Sequence, residues 1–125
     1  MIFGCNEKFK SENMKRLLLL LGTMVLFGCS SMADMRTRAP DARFTSTKDI
    51  NDVSECILFG WQENSGRYGS VFIQPFNNGG KTVYGTTEFV DLNKLNKGVS
   101  VNFYHNGGTF WYRVDSRVKN IRKCI

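Results

Sequence analysis

Eleven uncharged, mostly apolar residues, Leu17 to Phe27, follow Met14-Lys15-Arg16 and run into Gly28-Cys29-Ser30-Ser31. Crossing a bilayer takes about 20 apolar residues, so this run is too short to span one. As a core helix it has no polar side to turn to water. A basic start, a short apolar run and a small residue before a processing point have the order of a secretory leader. Residues 1–13 (MIFGCNEKFKSEN) show no clear periodicity and precede a second methionine with a better basic region. We read 1–13 as an extension upstream of the true start, and 14–28 as a leader removed on export. Residues 29–125 are left to build the fold.

Within that junction, Leu26-Phe27-Gly28-Cys29 resembles the lipobox of bacterial lipoproteins. The resemblance implies that the Cys29 sulfur receives diacylglycerol, that the peptide before it is removed, and that the new amino terminus is acylated, typically with palmitate. Ser30 and Ser31 follow the cysteine with no aspartate beside it. In enteric lipoproteins that pattern implies transfer to the outer membrane, so the expectation is a lipid-anchored protein on its periplasmic face. The covalent lipid is the only prosthetic group implied.

The exported part would hold 97 residues, enough for one domain. Its thirteen Lys/Arg against nine Asp/Glu leave +4, compared with +6 for the full chain. Such a balance could suit an anionic lipid surface, but reads first as ordinary solubilising charge. Setting aside Cys5 in the extension and Cys29 as the lipid site, Cys56 and Cys124 remain. A pair in an oxidising compartment reads as a disulfide. Closing a loop of 68 residues would contribute roughly 4 kcal/mol, less any strain. A metal site is not supported, since His105 is the only histidine and no CxxC accompanies it.

Ser30 to Thr45 has Met32, Met35 and Phe44 as its only large apolar residues. The composition predicts that 29–45 is a lipidated cysteine plus a flexible tether reaching at most about 50 Å. A small α+β domain is expected over 46–125. Ser46-Thr47-Lys48-Asp49 resembles a capping box, with Asp49 and Asp52 placed for the helix dipole. Ile50, Val53, Ile57, Gly60 and Trp61 then share an arc of about 100°, with Cys56 at its margin. Asn64-Ser65-Gly66 ends that helix.

The period then changes to two. Ser70–Phe76, Lys81–Val90 and Gly98–His105 are rich in β-branched and aromatic residues and are separated by Asn77-Asn78-Gly79-Gly80 and Asn93–Lys97. Pro75 suits an edge strand. Over Thr109–Ile125, Phe110, Val114, Val118, Ile121, Cys124 and Ile125 fall within about 120° on a helical wheel. Phe110, Tyr112 and Val114 also alternate, so a fourth strand is the alternative at its start. The expected fold is a two-layer α-β-β-β-α sandwich. Its three-stranded antiparallel sheet would carry two helices on one face, joined by Cys56–Cys124. This layout resembles small proteobacterial lipoproteins and implies no activity.

Catalysis has little to build on. No GxSxG elbow is present, His105 lacks a partner acid in the sequence, and no phosphate-cradling glycine loop precedes a helix, since Gly79-Gly80 and Gly107-Gly108 read as hairpin and junction turns. Glu88 and Asp91 stand three apart at a strand end and read as solvated charge. Basic and aromatic residues interleave at Trp111, Tyr112, Arg113, Lys119, Arg122 and Lys123, the candidate partner contacts. Export argues against nucleic acid as that partner and leaves an envelope protein, a glycan or anionic lipid. The leading expectation is a non-enzymatic binding or envelope-interaction module. The alternative is a small inhibitor or exclusion lipoprotein, of prophage type, that blocks one envelope protein.

Overall fold

The computed structural model describes residues 31–125. The expected extension at 1–13, the leader at 14–28 and Cys29 lie outside the described residues. From Ser31 the elements are α1 (Met32–Met35), β1 (Ala42–Ser46), α2 (Ile50–Gln62), α3 (Ser65–Tyr68) and β2 (Phe72–Phe76). After them come β3 (Gly80–Tyr84), β4 (Glu88–Lys94), β5 (Val99–His105) and α4 (Trp111–Cys124). The class is α+β, but the sheet has five antiparallel strands in the order β1-β5-β4-β3-β2. The expected three-stranded sheet is therefore wrong.

Two features, a tight turn and a long-range pairing, account for the missing strands. Lys81–Val90 looked continuous because Thr86 and Thr87 favour strands, yet the Gly85 N–H donates to the Glu88 carbonyl at 2.9 Å and closes a tight turn. One run thus becomes the hairpin β3–β4. Ala42–Ser46 spans the end of the expected tether and the first residue of the expected capping box, with Phe44 its one large apolar residue. It becomes an edge strand by pairing with β5, which sets Phe44 opposite Val101 and Ala42 opposite Phe103. Ladder bonds to an established strand supply what composition alone lacks. Gly98, at φ +94°, makes this join possible, since a Cβ there would run into the Ser46 carbonyl.

The helix starts also shift. Asp49 itself caps α2, accepting from the Asn51 N–H at 2.9 Å, while Ser46 belongs to β1. A capping box does form, but at Ser31 and Asp34, ahead of α1.

Strand alternation sorts the sheet into two faces. Toward the helices run Ile73, Val83, Val90, Phe103 and Ala42 in one row, with Leu92, Val101 and Phe44 in the next. Ile50, Val53, Ile57 and Trp61 of α2 and Ile121 of α4 complete this core. Trp61 meets Phe103 edge to face at 6.2 Å. Complete burial of such side chains contributes about 1.5–3 kcal/mol each. Gly60 lets α4 lie close against α2, because a Cβ there would fall on the Asn120 side chain. Against the other face lies Arg36, from the segment between α1 and β1, bonded to Asp91 and set over the Phe76 and Phe89 rings.

Cys56 and Cys124 form a disulfide with Cα atoms 5.7 Å apart, tying the end of α4 to the middle of α2. We predict that both sulfurs resist alkylation in the oxidised protein. Cys124→Ser should lower the unfolding free energy by about 4 kcal/mol, measured by urea denaturation.

Candidate interaction surface

Of the six expected contact residues, five stay on the solvent side of α4. Trp111, Arg122, Lys119, Tyr112 and Lys123 lie within about 120° of one another on the helix circumference. Trp111 is 77 % exposed and Phe110, just before the helix, 66 %. Phe110 was expected on the inner arc, but it stands outside the helix as its N-cap residue. Lys119 pairs with Asp115 at 3.0 Å, and the Arg122 guanidinium sits 6.0 Å from the Phe44 ring.

The aromatic side chains here form a stack. Phe110 and Tyr112 lie nearly parallel at 5.4 Å, Tyr112 and Tyr68 follow at 6.5 Å, and Trp111 meets Tyr112 edge-on at 5.9 Å. Arg67, from α3, reaches within 5.2 Å of the Tyr112 ring and 5.3 Å of Tyr68. A polar groove of about 410 Å³ runs alongside, lined by Asn64, Arg67, Tyr112, Ser116, Lys119 and Asn120.

Arg113, the sixth residue, turns inward. Its Nε lies 2.7 Å from Glu88 Oε2 and its Nη2 2.9 Å from Oε1. Arg117 adds a bond from Nε to Glu88 Oε1 at 2.9 Å, and Thr87 donates its hydroxyl to Oε2 at 2.7 Å. Arg117 is 1 % exposed and Glu88 2 %. The Arg117 Nη1 donates to the Trp61 carbonyl at 2.9 Å, and the Trp61 indole N–H donates back to the Arg117 carbonyl at 3.3 Å. Glu88 is thus no solvated charge. Burial pushes its carboxyl up, but the Arg113 and Thr87 hydrogen bonds and the two guanidinium charges outweigh it, leaving it below the usual value. Burial pulls Arg117 down in turn, against the charge of Glu88. A carboxylate held ionised by two arginines is built to fasten α4 rather than to move protons.

Both buried partners were visible in the spacing. Glu88 is in phase with Val90 and Leu92, on the apolar face of β4. Arg117 lies inside the apolar arc of α4, between Cys124 and Ile121 on the helical wheel.

Asp91 occupies the other face of β4 and is 3 % exposed. Thr82 donates its hydroxyl to Asp91 Oδ1 at 2.6 Å, and Arg36 closes on both carboxylate oxygens. Glu88 and Asp91 therefore point to opposite faces and form no pair. His105 stands beside Asp41, with Nε2 3.8 Å from Oδ2. Among the described residues, no three His, Cys, Asp or Glu side chains cluster to hold a metal ion. No helix among them is long and apolar enough to cross a membrane. No known family model, characterised protein or solved structure matches the chain.

Removing the Glu88 charge leaves Arg117 buried and uncompensated. We predict that Glu88→Gln costs about 3–5 kcal/mol at neutral pH, measured by denaturant unfolding. Because the Glu88 carboxyl is depressed on folding, its contribution is complete above its ordinary value of 4.5. It is lost as pH falls through the lower folded value. The gap between native protein and variant should therefore narrow below that pH.

Proposed function

We propose that the chain is a membrane-tethered, non-enzymatic binding module of the bacterial cell envelope, held at the outer membrane by lipid on Cys29. It meets its partner through the solvent arc of α4. The observation that carries this reading is the exposure of Phe110 and Trp111, 66 % and 77 %, next to Tyr112, which lines a groove with Arg67, Lys119 and Lys123. Large aromatics beside cations are the side chains that dominate binding energy at protein interfaces. The stacking of Phe110, Tyr112 and Tyr68 holds these rings in place before a partner arrives.

The anchor acts at shorter range than a sixteen-residue tether would. Cys29 precedes Ser31, the first described residue, by two positions, and Arg36 and β1 are both docked on the sheet. Lipid at Cys29 would hold the domain close to the bilayer instead of letting it range over about 50 Å.

Two measurements test the reading separately. Cys29→Ala should leave the precursor unprocessed or release soluble protein, while an unmodified Cys29 in membrane-purified protein, seen by mass spectrometry, would refute the anchor. Reversing Arg122 and Lys123 to glutamate should abolish retention of envelope components on immobilised protein. It should change stability by under about 0.5 kcal/mol. Retention of one stoichiometric protein would favour the inhibitor form of this function, and retention of glycan or lipid the general envelope module.

A further inference from the structure

The sheet face away from α2 and α4 carries two distinct rows of side chains. Phe72, Tyr84, Phe89 and Tyr104 are direct neighbours across β2, β3, β4 and β5. Beside them runs a polar row, Gln74, Thr82, Asp91, Asn102 and Arg43, one residue from each strand. Asp91 is at its centre, on the middle strand of the sheet. An unpaired carboxylate so deeply buried is costly, so this position demands a cation.

Arg36 is the cation present. Its Nε donates to Asp91 Oδ2 at 2.7 Å and its Nη2 to Oδ1 at 2.8 Å, with a third bond from Nη2 to Thr82 Oγ1 at 3.1 Å. The guanidinium carbon lies 4.3 Å from the Phe76 ring centre and 5.0 Å from that of Phe89. The slot fits a flat fork between ring faces and a carboxylate. A guanidinium meets all of these together, and a lysine ammonium cannot donate in that fork.

The segment that delivers Arg36 is weakly held otherwise. The helix α1 has four residues, none of them buried, far below the length at which a helix persists alone. Arg38 adds exposed contacts to the His105 carbonyl and to Asp41. The Arg36 side chain itself remains 24 % exposed. Nor does this strap use the whole row, because Phe72 at the β2 end is still 54 % exposed. The site is larger than its internal occupant.

We infer that the Asp91–Thr82 slot is a recognition site for an arginine side chain on a partner polypeptide, and that Arg36 occupies it as an intramolecular competitor. The partner's arginine replaces Arg36 at Asp91, its flanking apolar residues cover the ring row toward Phe72, and the strap comes free. Because the strap is tethered, its effective concentration is on the order of millimolar, and a partner must outcompete that. Binding at this face thus also lengthens the free chain ahead of β1.

The test uses the full chain carrying Arg36→Ala, titrated with acetyl-arginine amide and, as control, acetyl-lysine amide. Binding is followed by the amide NMR shifts of Thr82 and Asp91. The expected result is saturable binding with at least about tenfold preference for arginine. In the native chain, hydrogen exchange of residues 31–38 should accelerate once acetyl-arginine amide exceeds both the variant's Kd and the strap's millimolar effective concentration by about tenfold. Should the alanine variant fail to fold, Arg36→Lys keeps the charge without the fork, and arginine should displace it at lower excess than in the native chain. Absence of arginine-selective saturation in the folded variant, or unchanged strap protection in the native chain at that excess, would make Arg36 a fixed clamp and overturn the inference.

Discussion

The architecture depends on the middle strand, β4, and on the two acids it carries to opposite faces. Glu88 and Asp91 are three residues apart, an odd spacing, so strand alternation sends one toward the helices and the other toward the strap. Each is buried and each is satisfied by arginine from a different element. A buried ion pair gains little net stability over a hydrophobic alternative, since both charges must be desolvated. Its effect is geometric. Apolar contacts let a helix slide or rotate on a sheet, whereas a carboxylate bonded to Arg113 and Arg117 sets both the rotation and the height of α4.

The position of α4 is then fixed twice. Near its start the two guanidinium groups grip Glu88, and at its last residue Cys124 is bonded to Cys56. Between them the Asn120 side chain fills the space that Gly60 leaves open. Attachments at both ends restrain tilt and roll of the helix and so select the face it shows to solvent. This explains how Trp111 and Phe110 stand so exposed without a covering element: the interior of α4 carries the docking, and the rings have no part in it.

Much of this was legible in the sequence, but unevenly. Periodicity located α2 and α4 because α2 turns Ile50, Val53, Ile57 and Trp61 inward and α4 turns Val114, Val118, Ile121 and Cys124 inward, and cysteine parity pointed to the bridge. Strand number was misjudged where the deciding information is not local. Ala42–Ser46 is polar enough to be a tether and becomes a strand only because β5 presents an open edge to it. Gly85 interrupts a run whose threonines favour extension, and a single glycine there fits a bulge as well as a turn. The buried charges were missed for a different reason. Composition treats Glu88, Arg113 and Arg117 as surface residues because, unpaired, each would be. Only the fold shows that they meet, although the phase of Glu88 and Arg117 already set them on apolar faces.

The two faces differ in how they can meet a partner. The α4 face is preorganised: its rings are stacked, its helix is fastened at both ends, and little conformational entropy remains to be lost on contact. Shape and charge there are set in advance, which favours one partner geometry. The strap face is the reverse. It is covered by a short segment fastened mainly through one side chain, over a surface whose aromatic row is only partly used. Contact there requires exchange, so its affinity is the difference between two occupants of one slot and not the strength of either alone. The surface proposed on α4 and the slot inferred at Asp91 lie on opposite sides of the same sheet and are joined through β4, where Glu88 fastens α4 and Asp91 holds Arg36.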